Sequence, residues 1–230
     1  MNKYDILFIS PHLDDIVYSC SQMIREKVKN NKILVITIFT HYPDNNSNNP
    51  FLNGDGRIKE DKKAMESLGV DYMHLHYSEL MIRNNMINYN IFQQIIESIK
   101  TLLYLGIDNH LTYNINYDIQ KIINDYNIEE TYYPGAVGFH PDHILTYRSC
   151  YNLKNTRLIC YEEFPYSTHW IYKFIRVPFI KSNNVIKIKI KVEDKIEDIM
   201  KYKSQFKIIF GNEDILNILK NYYETYYFHI

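Results

Sequence analysis

Two apolar runs near the N-terminus, "YDILFIS" (4–10) and "KILVITIFTHY" (32–42), constrain this chain more than any other feature. Both are rich in β-branched residues and continuous rather than alternating, the pattern of strands buried on both faces. Between them "DDIVYSCSQMIREKVKN" places Ile16, Val17, Met23, Ile24 and Val28 as a helix packed on a sheet would need them. Strand, helix and strand in succession make a βαβ unit, hence a parallel pair joined by a right-handed crossover. The predicted fold class is α/β: Rossmann-like, a mainly parallel sheet flanked by helices.

The rest of the chain extends this pattern. A polar loop, "HYPDNNSNNPFLNGDG", is too long for a simple connector and is expected near a site. "RIKEDKKAMESLGV" predicts a helix stopped at Leu68-Gly69, and "DYMHLHY" a third strand. "YNIFQQIIESIKTLLYL" and "YDIQKIINDYN" predict helices. They are followed by the short strand "ETYYP", the loop "GAVGFHPDH", a helix through "HILTYRSCYNL" and a fifth strand in "TRLICYEEF". From about Tyr172 the pattern changes: "KFIRVPFI" and "NVIKIKIKV" predict a late β-hairpin, with the lysines on a solvated face. "EDKIEDIMKYKSQFKIIF" and "NEDILNILKNYYETYY" predict two C-terminal helices. Without an internal repeat, low-complexity tract or linker, residues 1–230 are expected to form a single domain.

Composition narrows the function. With 26 basic and 27 acidic residues the net charge is −1, which offers no electrostatic footprint for nucleic acid or an anionic membrane. The longest apolar run, "ILVITIF", falls far short of the ~20 residues that span a bilayer. The first apolar run is broken by Pro11 and His12, unlike a signal peptide. Three cysteines without CxxC spacing fit buried thiols in a reducing compartment. These features predict a soluble cytoplasmic protein with no nucleic-acid partner and no membrane span. They leave homo-oligomerisation open.

"PHLDD" follows the first strand and "GFHPDH" a later one. A helix start calls for one capping residue, and Asp14 or Asp15 alone would serve the first turn, as Asp142 would the second. A histidine with a second carboxylate is more than folding requires. In open parallel sheets, ligands bind beyond the carboxyl ends of the strands, so both turns can lie at one edge. Two turns rich in His and Asp meeting there would make a metal site.

These motifs resemble the PIG-L/LmbE-like zinc-dependent N-deacetylase family. "RIKEDKKAMESLG" is similar to that family's Arg-x-x-Glu…Ala…Leu-Gly helix, and "CYEEFPY" and "KYKSQ" resemble later blocks of its bacterial branch, in the same order. The resemblance implies that His12, Asp15 and His143 bind Zn2+ or another divalent metal such as Fe2+. It implies Asp14 as general base, with His140 assisting at the leaving nitrogen and the oxyanion. Three protein ligands would leave an open position for water, as a catalytic zinc requires. Asp142 is placed to orient one of the imidazoles. The implied activity is hydrolysis of an N-acyl group, acetyl first among them, from an amino sugar, nucleotide-sugar or glycoconjugate. The chain departs from many members at Leu13 (Pro), at Ile16 (Glu), and at Gly138, where some members carry an oxyanion-stabilising tyrosine.

Arg57, at the start of its helix, is a candidate for substrate binding or for pairing with Glu60 or Asp61. His41 reads as loop filler, and His74, His76 and His110 receive no role. Tyr161, Glu162 and Glu163 fit either the pocket rim or sheet-end packing. A nucleotide-binding Rossmann module would need a glycine-rich first turn, and this one has no glycine. A non-haem iron oxygenase would fit His12, Asp14 and His143 but sits on jelly rolls, not on a βαβ opening. A receiver-like domain does not explain "HPDH". A catalytically inactive, sugar-binding member of the same fold is the remaining alternative.

Overall fold

The computed structural model describes residues 3–42, 53–83, 108–180, 185–192, 195–211 and 214–229, with the isolated positions 96 and 100. Apart from positions 96 and 100, the predicted helix over 89–105 lies outside the described residues, as does most of the long loop after Tyr42.

The opening unit forms as expected: β1 (Ile6–Ser10), α1 (Asp15–Lys27) and β2 (Ile33–His41), with β1 and β2 parallel. β1 is buried along its whole length, as its unbroken apolar run demands. Next come α2 (Gly54–Leu68), β3 (Asp71–Ser78), the single turn α3 (Leu80–Arg83) and α4 (Asn109–Tyr126). α2 is capped by the Asn53 side chain, which accepts from Gly56 N–H, and stops at Gly69 in the left-handed region at φ +70°. β4 (Glu130–Pro134), α5 (Pro141–Cys150) and β5 (Arg157–Tyr161) complete the parallel part of the sheet.

The strand order is β3-β2-β1-β4-β5-β7-β6. The chain winds outward from β1 in one direction through β2 and β3, and then in the other through β4 and β5. The β1/β4 boundary is therefore the switch point where such sheets bind ligands. One apolar cluster packs α1 and α2 on one face of the sheet, and a second packs α4 and α5 on the other.

The C-terminal third corrects the expected layout. "KFIRVPFI" is not a hairpin arm but part of helix α6 (Trp170–Ile180). The helix buries Arg176 and Ile180, and the Arg176 guanidinium donates to the Gly135 carbonyl at 2.7 Å. β6 (Val185–Lys191) is the expected strand, but its antiparallel partner is β7 (Tyr223–His229), which in turn pairs antiparallel with β5. The two predicted C-terminal helices become three short ones: α7 (Lys195–Ile199), α8 (Lys203–Phe210) and α9 (Ile215–Lys220). The first predicted helix breaks where Tyr202 turns inward and donates to Asp61 at 2.8 Å. The second ends at Lys220 because "YETYYFH" has the Tyr/Thr content of a strand. Among the described residues no helix is long and apolar enough to cross a membrane, and all three cysteines are free and buried.

Candidate active site

The turns after β1 and β4 meet at the switch point. His12, Asp14 and Asp15 come from the first, and His140, Asp142 and His143 from the second. All but His140 are buried. The doubled aspartate is not consumed by capping. Asp14 stands at the N-cap of α1 without a side-chain capping bond, and the Ser10 hydroxyl accepts the Ile16 N–H at 3.1 Å instead. Asp15 turns back and accepts the His12 N–H at 2.9 Å.

One nitrogen from each of His12, His140 and His143 can be chosen so that all lie within 4.8 Å of one another. The protons on these rings separate their roles. His143 Nδ1 lies 3.2 Å from a Glu163 carboxylate oxygen, which can only accept, so its proton sits there and Nε2 is free. His12 Nε2 lies 3.3 Å from Asp142 Oδ2, leaving Nδ1. These two remaining nitrogens face the same oxygen: Asp15 Oδ2 is 3.0 Å from His12 Nδ1 and 3.1 Å from His143 Nε2. His140 is set differently. Its Nδ1 accepts the Asp142 N–H at 3.3 Å, capping α5, so the neutral ring carries its proton on Nε2.

Without a metal, this cluster holds protons tightly. His12 is raised well above its ordinary value: burial opposes the charge, but hydrogen bonds to Asp142 and Asp15 outweigh it. His143 is raised to about 9 against burial, by Asp15 first and Glu163 next. Asp15 is held low between the two imidazoles despite its burial. His140 is lowered to about 3, by burial and then by the charges on His12 and His143. Asp14 is pushed up to about 6 by burial and Asp15, with Arg57 working against the shift. Two imidazoles sharing protons with one carboxylate are a donor set that a divalent cation fits: it can take the place of those protons and neutralise the buried charge.

Arg57 is buried, and its charge acts on Asp61 of the same helix. It donates to Glu79 at 2.9 Å and lies 3.7 Å from Asp14. Glu60 accepts from Ser204, and Asp61 pairs with His74 at 2.9 Å. His41 is exposed at the end of β2. Tyr161 is committed to the Ile9 carbonyl at 2.8 Å, and Glu162 pairs with Lys173 at 2.9 Å, away from the histidines.

Two participants, Arg83 and Tyr166, went unassigned in the sequence, and Glu163, left open between pocket rim and packing, reaches the site. Glu163 accepts from Ala136 N–H at 2.6 Å and Val137 N–H at 3.1 Å as well as from His143. It thereby pins a loop in which Ala136 and Phe139 both adopt positive φ. Arg83 donates to Asp142 at 2.8 Å, beside the Leu80 N–H at 3.0 Å. Tyr166 stands edge-on to His143, ring centroids 5.8 Å apart. The signal for Glu163 was its place directly after β5, at the edge where "HPDH" also lies. Asp15, Tyr18, Phe164, Tyr166, His169 and Tyr172 line a cavity of about 280 Å³, near the small end of ligand pockets.

The sequence profile of the family described as "PIG-L: GlcNAc-PI de-N-acetylase" matches residues 7–153, more than half of the chain and both histidine turns. The chain belongs to the PIG-L family. As a member it is a deacetylase-class hydrolase of carbon–nitrogen bonds other than peptide bonds. No curated protein sequence matches it significantly. Solved structures share the fold at low identity. A deacetylase of teicoplanin biosynthesis aligns with TM-score 0.74 and 20% identity, covering 98% of each chain. The A40926 pseudoaglycone deacetylase aligns with TM-score 0.72 and 19% identity, covering 100% of this chain and 98% of the other. The N,N'-diacetylchitobiose deacetylase of Pyrococcus horikoshii aligns with TM-score 0.57 and 16% identity, covering 94% of this chain and 75% of its own.

Proposed function

We propose that this PIG-L family member is a zinc-dependent N-deacetylase that removes an acetyl group from the nitrogen of an amino sugar or its conjugate. One observation carries the metal assignment: His12 Nδ1 and His143 Nε2 face the same Asp15 oxygen at 3.0 and 3.1 Å, while their other nitrogens face Asp142 and Glu163. His12, Asp15 and His143 would hold the ion. His140, whose Nδ1 is an acceptor, would stay outside its coordination. Two imidazoles and a carboxylate suit zinc, with a fourth position open. When bound, the ion supplies Lewis acidity toward water and the amide carbonyl.

The chain's own groups do the rest. Asp14 is not a cap, and Arg57 beside it keeps it from rising further, so it can accept a proton from the attacking water near neutral pH. His140, with its proton on Nε2, can donate a hydrogen bond to the departing nitrogen, and the proton that Asp14 takes from water is the one passed on to that nitrogen. Asp142 and Glu163 orient His12 and His143, and Arg57 and Arg83 hold the two aspartates. The cavity beside Asp15, about 280 Å³ and rimmed by Tyr166, His169 and Tyr172, suits a sugar ring that stacks on aromatic faces.

Metal-loaded protein is to be screened against N-acetylglucosamine, N,N'-diacetylchitobiose and UDP-N-acetylglucosamine, with amine release as the readout. The expected result is release that depends on added metal. Stoichiometric metal binding without release from any N-acetylated sugar would overturn the substrate class, and no metal binding would overturn the centre.

A further inference from the structure

Gly138 and Tyr166 compete for one space. A Cβ built on Gly138 would stand 2.2 Å from Tyr166 Cγ and 2.4 Å from its Cδ1, so the ring of Tyr166 is seated where a side chain at 138 would begin. Tyr166 reaches this place from the 3₁₀ turn Tyr166–Thr168, which follows β5. Its ring stands at 89° to that of His143 and, with Asp15, lines the cavity. Three other phenols nearby are unsuited to touching a substrate, and Tyr172, on the same cavity, packs its ring on Phe139, Tyr166 and His169 rather than on His12, His140 or His143. Tyr161 donates to the Ile9 carbonyl, Tyr42 donates to Glu79, and the Tyr18 hydroxyl is sealed from solvent. Tyr166 is partly exposed, and its hydroxyl makes no hydrogen bond among the described residues.

We infer that Tyr166 is a further catalytic residue: its hydroxyl donates a hydrogen bond to the acyl oxygen as that oxygen gains negative charge, and Gly138 is the vacancy that seats it. This rests on reading the centre as a metal-dependent amidohydrolase. Water adds its oxygen to the acyl carbon and its proton goes to Asp14. The carbonyl π pair moves onto the oxygen, where the Tyr166 O–H stabilises it without losing its proton. As the C–N bond breaks, its electron pair leaves with the nitrogen, which takes the proton from Asp14; the oxygen's pair re-forms the carbonyl, giving acetic acid, which ionises to acetate, and the free amine.

The test uses the full-length, metal-loaded protein and two probes: the N-acetylated sugars above, and methylphosphonate, whose tetrahedral anion mimics the hydrated acetyl group. Tyr166→Phe keeps the ring and its packing, so metal content and melting temperature should not change. Turnover should fall about 10²-fold with KM nearly constant, the scale of one lost oxyanion donor. Methylphosphonate affinity should fall about 10-fold or more, as for a lost hydrogen bond to a charged group. Gly138→Ala, which unseats the ring, should weaken methylphosphonate similarly and add little on top of Tyr166→Phe. Unchanged methylphosphonate affinity in Tyr166→Phe would overturn the inference, as would loss of metal. Weakened methylphosphonate with no sugar turned over by the native protein would leave Tyr166 in its role and remove the sugar reading instead.

Discussion

Ser10 caps the helix that Asp14 leaves uncapped: its hydroxyl accepts the Ile16 N–H at 3.1 Å and donates to the His12 carbonyl at 2.6 Å. This bond frees the carboxylates of the "HLDD" turn. Ser10→Ala should therefore cost about 1 kcal/mol of stability, the usual loss for a capping hydroxyl. Asp14→Asn should cost little stability and at least about 10²-fold in turnover, while keeping the metal. Denaturant unfolding of both variants checks this. An equal stability loss from Asp14→Asn would return that residue to capping.

A pH-dependent contribution to stability lies far from the site. Asp198 is held below the ordinary carboxylate value: burial would raise it, but Arg25 and then Lys201 outweigh burial. A depressed carboxylate contributes fully above its unfolded pKa of about 3.9 and loses that contribution as pH falls through the folded value. Asp198→Asn should thus be less stable than the native chain by a constant amount above about pH 5. The gap should close on acidification toward pH 3. A gap that widened on acidification would mean that Asp198 is not the anion of this cluster.

The βαβ opening and the two histidine turns were legible because the sequence there has one physical reading. Unbroken apolar strands have to be buried on both faces, and two turns with surplus histidine and aspartate have no use in folding alone. The C-terminal third was not. The alternating "VIKIKIK" showed a strand but not its partner, Tyr223–His229, which lies beyond three intervening helices. "WIYKFIRVPFI" is apolar enough for either structure, and Arg176 reaching the Gly135 carbonyl is a tertiary contact that no local pattern encodes. Glu163 and Tyr166 were obscured for a similar reason. Their partners, His143 and Gly138, are 20 and more residues away along the chain.

Glu163 ties the Ala136–Val137 loop to His143, so removing its charge should act on both. Glu163→Gln keeps the shape but replaces one acceptor oxygen with an NH₂ group that cannot accept from a loop N–H or from His143. Metal affinity should fall about 10–100-fold, the usual effect of losing a ligand's hydrogen-bond partner. Melting temperature should fall as well, because a buried backbone N–H loses its acceptor. Competition with a coloured chelator measures the first effect. Native metal affinity in this variant would show that His143 is oriented by its helix alone.

His140 decides between two uses of the same three histidines. Its nitrogen comes within 4.8 Å of those of His12 and His143, so by distance alone it could be a ligand. The Asp142 N–H on its Nδ1 argues otherwise, because a neutral ring that accepts there carries its proton on Nε2 and has no lone pair left for a metal. His140→Ala should consequently retain one metal ion per chain, whereas His12→Ala should lose it. Turnover in His140→Ala should fall roughly 10²–10³-fold, as for loss of a positioned donor. The loss should be smaller for substrates whose departing amine is a weaker base, since these depend less on the hydrogen bond that His140 donates to the nitrogen. Metal analysis and rates across a series of N-acylated amines measure both effects together. Loss of the ion from His140→Ala would make this residue a ligand and move the donor role elsewhere in the pocket.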